Sequence, residues 1–215
     1  MELALNSLPF LWDGLMTTLQ VSFLVVVLAL AAGVVLGVGV TYGTAVVYWP
    51  IRLYSDFMRG IPILVLMFFV YYGFPVIGLN LDSFWAAVVA MAAFKTAHVI
   101  EIVRGAVQSI AIGQTDAGKA IGLTFVQRLV YVIFPQAARR FLPPWINAVT
   151  EAVKGTSLIS LIGVVDLMLA VQKVIGRTYE PMPLYIMGAI IYFLINYNLS
   201  SLSRMLERRF SYIRE

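Results

Sequence analysis

Five long apolar segments follow one another along the chain, separated by shorter and more polar stretches. The first, from Leu15 to Thr41, has no charged residue and exceeds the ~20 residues that a helix needs to cross the hydrocarbon of a bilayer. We therefore expect an all-α integral membrane protein, with a single transmembrane domain over residues 1–215. The predicted spans cover about residues 15–41, 57–76, 84–107, 145–171 and 184–205.

The composition supports this interpretation. The chain is 61% hydrophobic and only 12% charged, whereas about a quarter of a soluble domain is charged. A domain of this size has too little interior to bury so much apolar surface. The absence of cysteine excludes disulfides, thiolate metal sites and cysteine nucleophiles, and the single histidine excludes a polyhistidine metal site. Met1–Ala4 has no basic residue, so we expect no cleaved signal peptide.

The basic residues predict the orientation of the spans. With five spans, the two termini lie on opposite sides of the membrane. One side then receives Arg52, Arg59, Arg104, Lys119, Arg128, Arg139, Arg140, Arg204, Arg208, Arg209 and Arg214. The other side receives Lys173 and Arg177. Because loops rich in Lys and Arg stay in the cytoplasm, we expect the N-terminus outside and the C-terminus inside. This distribution accounts for the net charge of +4 without a nucleic-acid partner.

The polar segment of residues 109–144, between the third and fourth spans, contains the most informative motif. From Asp116 to Pro135 it resembles the cytoplasmic EAA loop of ATP-binding-cassette (ABC) importer permeases. That pattern is Glu-Ala-Ala, three residues, Gly, nine residues, then Ile-x-Leu-Pro. Ala117, Gly122 and Pro135 match it. The departures are Asp116, Gly118, Val132 and Phe134. Gly118 departs most, because glycine weakens a helix at a position where alanine favours one.

Further stretches resemble the polar amino-acid and opine branch of the same family. Arg59-Gly60-Ile61-Pro62 is similar to its Arg-Gly-Thr-Pro motif. Lys154-Gly155-Thr156-Ser157-Leu158 is similar to its Lys-Asp-Thr-Ser-Leu motif, with glycine in place of the acid. Residues 101–110 resemble the end of its third helix, and residues 206–209 its C-terminal end. The resemblance covers nearly the whole chain in order.

The resemblance implies the type I ABC importer permease fold, with five transmembrane helices and short cytoplasmic coupling helices, in the bacterial inner membrane. It implies four partners for the lipid-embedded chain: a second permease chain, a dimeric ATPase that binds ATP and Mg, an extracytoplasmic substrate-binding protein, and an amino-acid-like substrate. The chain itself would be no enzyme and hold no cofactor. The residues implied for ATPase coupling are Asp116, Ala117, Gly118, Gly122, Leu123 and Pro135. The alternative for this segment is a solvated amphipathic connector.

The most unusual charge is Lys95, near the middle of the third span. A lysine at a helix centre costs roughly 2.5–3.5 kcal/mol on insertion scales, so it should face the protein interior or a water-filled cavity. One hypothesis is that Lys95 meets a substrate carboxylate, with His98 beside it on the same helix face. The alternative is an internal ion pair, for example with Asp166. From the resemblance, the substrate pathway is assigned to Lys95, His98, Thr156, Ser157 and Asp166.

One motif suggests a nucleotide site and is rejected. Gly113–Lys119 fits the Gly-x4-Gly-Lys pattern of a phosphate-binding loop, but Ala120 stands where Ser or Thr should hold magnesium. The segment is also too short to contain a parallel-sheet nucleotide domain. Any ATP must therefore be hydrolysed by another chain.

Two other functions remain as alternatives. An intramembrane hydrolase needs a nucleophile with an adjacent base, but His98 is the only histidine and no Gly-x-Ser-x-Gly is present. An ion-gradient-driven secondary transporter would use Lys95, Glu101 and Asp166 as a proton relay. Glu101 and Arg104 are three residues apart, so the alternative to a relay role for Glu101 is a local ion pair between these two side chains.

Overall fold

A computed structural model describes residues 7–210, so Met1–Ala4 and Arg214 lie outside the described residues. No β-strand occurs within that range. The helices are α1 (Leu8–Tyr42), α2 (Ala45–Gly60), α3 (Ile63–Phe68), α4 (Ser83–Gln108), α5 (Ile112–Ala120), α6 (Phe125–Arg128), α7 (Phe134–Gly155), α8 (Leu167–Thr178) and α9 (Pro181–Phe210). Tighter or wider turns extend three of them: Phe69–Gly73 and Phe74–Ile77 after α3, Leu129–Ile133 after α6, and Thr156–Ile162 after α7.

The five predicted spans are present as three unbroken helices and two bent pairs. Helices α1, α4 and α9 are each long and apolar enough to cross a membrane. The second span consists of α2 and Ile63–Ile77, bent by 104°. The fourth consists of Phe125–Ile162 and α8, bent by 50°. The all-α, five-span prediction is confirmed in this form.

The two bends have local causes. At the first, Ile61 is extended, with φ −100° and ψ 136°, because the ring of Pro62 disfavours helical geometry in the preceding residue. At the second, Gly163 has φ +86°, a left-handed conformation that ends the preceding turn at no steric cost to glycine. Asp166 then begins α8.

The intervals between the predicted spans are more helical than expected. α2 begins at Ala45, α7 already begins at Phe134, and α8 continues to Thr178. Leu167, Ala170, Val171 and Val174 of α8 are all buried. These positions form one face of a helix, and polar residues on the opposite face conceal that pattern from a simple count of apolar residues.

α4 lies at the centre of the bundle and packs closely on α1. A Cβ at Gly33 would lie 2.5 Å from the Cβ of Val99, and one at Gly37 would lie 2.6 Å from the Cβ of Val103. Small residues four apart let two helix backbones approach in this way. This packing fixes the position of α4, which carries the candidate site.

Candidate functional site

The buried Lys95 of α4 pairs with Glu151 of α7. Its Nζ lies 3.0 Å from Glu151 Oε2. The lysine side chain is 8% exposed, whereas the glutamate side chain is 61% exposed. The internal ion pair considered as the alternative for Lys95 is therefore present, but its partner is Glu151 of α7 and not Asp166, the example given for it. The pair places a positive and a negative charge side by side at the edge of the bundle.

Asp166 has a different environment. It is fully buried and caps α8, where its Oδ1 accepts a hydrogen bond from Leu169 N at 2.9 Å. Its Oδ2 accepts one from the hydroxyl of Tyr192 in α9 at 3.3 Å. The next amide, Leu167 N, donates to Thr18 Oγ1 of α1 at 3.1 Å. These contacts make Asp166 a junction of α1, α8 and α9, and Lys95 pairs with Glu151 instead.

Thr156, Ser157 and His98 each form a bond within their own helical turn, and Thr156 is also within hydrogen-bonding reach of Tyr192. Thr156 is fully buried and its hydroxyl donates to a carbonyl of the preceding turn at 2.7 Å. The hydroxyl of Ser157 donates in the same way at 2.8 Å. His98 Nδ1 lies 3.0 Å from the Phe94 carbonyl, and the two rings are 4.6 Å apart. His98 follows Lys95 by three residues and therefore lies on the same helix face. Thr156 and Asp166 instead meet at Tyr192, so the predicted residues do not form a single cluster.

A second charged group connects α2 to α4. The predicted local pair is confirmed, with Arg104 Nη2 2.9 Å from Glu101 Oε2. Two arginines of α2 also reach Glu101 Oε1: Arg52 Nη1 at 3.1 Å and Arg59 Nη1 at 3.5 Å. Asp56 Oδ2 in turn pairs with Arg52 Nε at 2.8 Å. This network holds the segment before the 104° bend against α4.

The segment that resembles an EAA loop forms a compact helix–turn–helix, α5 and α6. Gly122 follows α5 with φ +80°. Its N–H donates to the Lys119 carbonyl at 2.9 Å, and Leu123 N donates to the Gly118 carbonyl at 3.0 Å. This is the Schellman arrangement that commonly ends a helix with glycine. The glycine of the motif is therefore required by the sharp turn.

The structure also explains Gly118, the departure from the alanine of the pattern. A Cβ at this position would lie 2.9 Å from both Cγ and Cδ of Arg128. Arg128 Nη1 donates to the Leu123 carbonyl at 2.7 Å, which holds its aliphatic stem across Gly118. α6 is itself capped by Thr124, which exchanges hydrogen bonds with Gln127 in a capping box.

The surface of this segment is largely exposed. Asp116, Ala117, Gly122 and Pro135 are exposed, Leu123 is half-buried, and Gly118 is buried. Asp116 pairs only with Lys119, at 3.0 Å, within the described residues. The exposed large apolar side chains are Ile112, Ile121, Phe125, Val126, Val130, Tyr131 and Phe134. Exposed apolar side chains grouped in this way are typical of a surface that contacts another protein.

Residues 29–212 match the family described as the binding-protein-dependent transport system inner membrane component. The chain belongs to this family. It is 34% identical over 215 residues to the probable amino-acid ABC transporter permease protein YckA of Bacillus subtilis, covering 98% of this chain and 93% of that protein. It is 36% identical to the glutamine transport system permease protein GlnP of Escherichia coli K12, covering 94% of each.

Solved structures agree with this family. The chain matches one described as an amino acid ABC transporter with histidines at a TM-score of 0.90 and 30% identity, covering 96% of each chain. The methionine transporter MetNI matches at a TM-score of 0.76 and 18% identity, which shows the fold alone. The chain is thus a multi-pass transmembrane subunit of an ABC importer, of the polar amino-acid branch. These matches do not favour the ion-gradient alternative.

Four residues of these two charged groups were missed from the sequence: Glu151, and Arg52, Asp56 and Arg59 of α2. Residues 145–171 contain only two acids, Glu151 and Asp166, so the sequence offered just these two as partners for Lys95 in the fourth span. Arg52, Asp56 and Arg59 recur at spacings of four and three. That spacing places all three on one face of a helix and could have indicated a shared charged partner.

Proposed function

We propose that the chain translocates a polar amino acid, or a derivative of one, across the bacterial inner membrane. It would form half of the pathway, with a second copy or a similar permease chain forming the other half. A substrate-binding protein would deliver the solute from outside. A separate ATPase dimer, with its own ATP and Mg, would drive the cycle, so this chain would catalyse no reaction.

The observation that carries the proposal is the rigid α5–α6 segment with its exposed apolar surface. Its internal bonds, from the Schellman turn to the capping box, let it move as one body. An ATPase subunit that binds this segment can therefore transmit its own displacement to α4 and α7, the helices on either side. ATP-driven closure would bring two such segments together and turn the pathway from inward-facing to outward-facing, which is a population shift biased by partner binding.

The Lys95–Glu151 pair supports an amino-acid substrate. A free amino acid carries a carboxylate and an ammonium group, and the pair offers one charge of each sign within 3.0 Å. We propose that Lys95 binds the carboxylate and Glu151 the ammonium group, with His98 on the same face. Glutamine is the first solute to test, because the Escherichia coli relative is named for it.

Coupling can be tested by co-purification with a co-expressed cognate ATPase in mild detergent. Ala117 is exposed on α5, and Ala117→Asp would place a charge on the proposed contact surface. We expect this variant to lose the ATPase. The matched control is Gln172→Asp on the exposed face of α8, which should retain it. Equal ATPase recovery from both variants would contradict coupling through α5.

Orientation and transport need separate measurements. The native chain has no cysteine, so single-cysteine variants at Ala120 and Gln172 can be labelled in intact cells with a membrane-impermeant maleimide. We expect labelling at Gln172 and none at Ala120 until the membrane is opened. Uptake of labelled glutamine and other amino acids into proteoliposomes containing the whole complex then identifies the solute. A complex that accumulates no amino acid in the presence of ATP would refute the proposal.

A further inference from the structure

A cavity of about 860 Å³ lies between α4, α7 and the end of α9. Ile102 and Gly105 of α4 and Pro143 and Asn147 of α7 form its walls. Arg139, Arg140 and Arg208 contribute cationic groups, and Glu101 and Glu207 contribute carboxylates. Small-molecule sites have volumes of about 300–1,000 Å³, so the cavity has room for a small polar solute and accompanying water.

The cavity continues the line of the Lys95–Glu151 pair. Ile102 is four residues after His98 on α4, and Asn147 is four residues before Glu151 on α7. Residues four apart on a helix are neighbours on one face. The cavity lining therefore lies one turn from Glu151 on α7 and about two turns from Lys95 on α4, on the side of α5 and α6.

Hydrogen bonds connect the far end of the cavity to the α5–α6 segment. Arg140 Nη1 donates to the carbonyl of Ser109, which lies just before α5. Gln136 Nε2, near the start of α7, donates to Gln114 Oε1 of α5 at 3.4 Å. A displacement of α5 would therefore be transmitted directly to the floor of the cavity.

The charges in this lining favour an anionic group. Glu101 is already engaged by Arg104 and by the two arginines of α2. Across residues 7–210, the side chain of Arg139 makes no hydrogen bond or ion pair. The guanidinium of Arg140 donates to a backbone carbonyl rather than to a carboxylate. Guanidinium groups bind carboxylates strongly because they can donate two parallel hydrogen bonds.

We propose that this cavity is a second binding site for the transported amino acid, in which Arg139 and Arg140 bind its α-carboxylate after it has passed the Lys95–Glu151 pair. The inference rests on the proposed transport function. Because the site lies on the side of the α5–α6 segment, we expect solute that has accumulated on that side to occupy it and oppose further uptake.

The test uses the complete complex in proteoliposomes, with the α5–α6 side facing the lumen and ATP enclosed. The vesicles are preloaded with increasing concentrations of the amino acid that the uptake screen selects, or with its α-carboxamide, which lacks the carboxylate. Each variant's uptake is expressed relative to its own rate with an empty lumen. We expect the amino acid to inhibit uptake and the carboxamide to be a much weaker inhibitor.

We expect Arg139→Gln to raise the half-inhibitory lumenal concentration about tenfold, as the loss of one charge-assisted hydrogen bond implies. Arg139→Lys should restore most of the inhibition. The matched control is Arg209→Gln, an exposed arginine outside the cavity lining, which should behave as the native chain. Equal inhibition of native and Arg139→Gln complexes would overturn the proposal, while absence of uptake in the native complex would instead overturn the transport function.

An anionic phospholipid is the competing occupant. In that case, native uptake would depend on the phosphatidylglycerol content of the vesicles, and Arg139→Gln would abolish that dependence without changing lumenal inhibition. This result would also overturn the proposal.

Discussion

Removal of the charge on Glu151 should destabilise the protein, because it leaves Lys95 without its partner. The lysine side chain is only 8% exposed, and Glu151 Oε2 is its ion-pair partner at 3.0 Å. Leaving a buried charged donor unsatisfied costs about 1–3 kcal/mol. Since the glutamate is 61% exposed and water can partly replace it, we expect about 2 kcal/mol for Glu151→Gln, within that range. In a chain of this size the corresponding fall in Tm is about 4–8 °C.

The assay is thermal unfolding of the purified chain in detergent, with Glu180→Gln as the control. Glu180 is exposed and its side chain has no partner among the described residues, so its variant should unfold at the native temperature. Lys95→Met combined with Glu151→Gln should recover most of the lost stability, because a neutral side chain needs no counter-charge. If Glu151→Gln unfolded at the native temperature, or if the double variant were less stable than Glu151→Gln alone, the ion pair would not be stabilising as described.

Three other predictions concern packing and capping. Gly37→Ala should lower Tm by several degrees because its Cβ would collide with α4, whereas Gly176→Ala, with no atom within 4 Å, should leave Tm unchanged or raise it. Asp166→Ala should cost about 1 kcal/mol or more through loss of the α8 cap, and Asp166→Asn should recover part of it, as measured by chemical unfolding. Gly118→Ala should reduce co-purification of the ATPase by displacing Arg128. In an Arg128→Ala background, chains with glycine and with alanine at position 118 should recover the ATPase equally. Additive effects of the two substitutions would contradict this contact.

The sequence predicted the number and type of spans because hydrocarbon thickness sets the length of an apolar helix. It did not predict that two spans would be bent. Pro62 and Gly163 mark both breaks in the sequence, but the angles of 104° and 50° depend on how each half packs on the rest of the bundle. Residues 172–178 of α8 were left outside the predicted fourth span because exposed polar residues interrupt the apolar run there.

The candidate site was partly predictable for a similar reason. A lysine in an apolar span must have a partner, and that requirement follows from the sequence alone. The identity of the partner depends on which turn of α7 lies opposite Lys95, and this register is set by tertiary packing. Glu151 therefore pairs with Lys95, while Asp166, the acid deeper in the fourth apolar segment, caps a helix instead.

The contact between Gly118 and Arg128 has an evolutionary consequence. The long stem at 128 occupies the space that a methyl group at 118 would fill, so substitutions at the two positions should be correlated among homologues. Lineages that carry alanine at the first position should carry a shorter or differently directed side chain at the second. A chimera that takes alanine at position 118 from a relative but keeps Arg128 would have a steric conflict in the segment that is proposed to bind the ATPase.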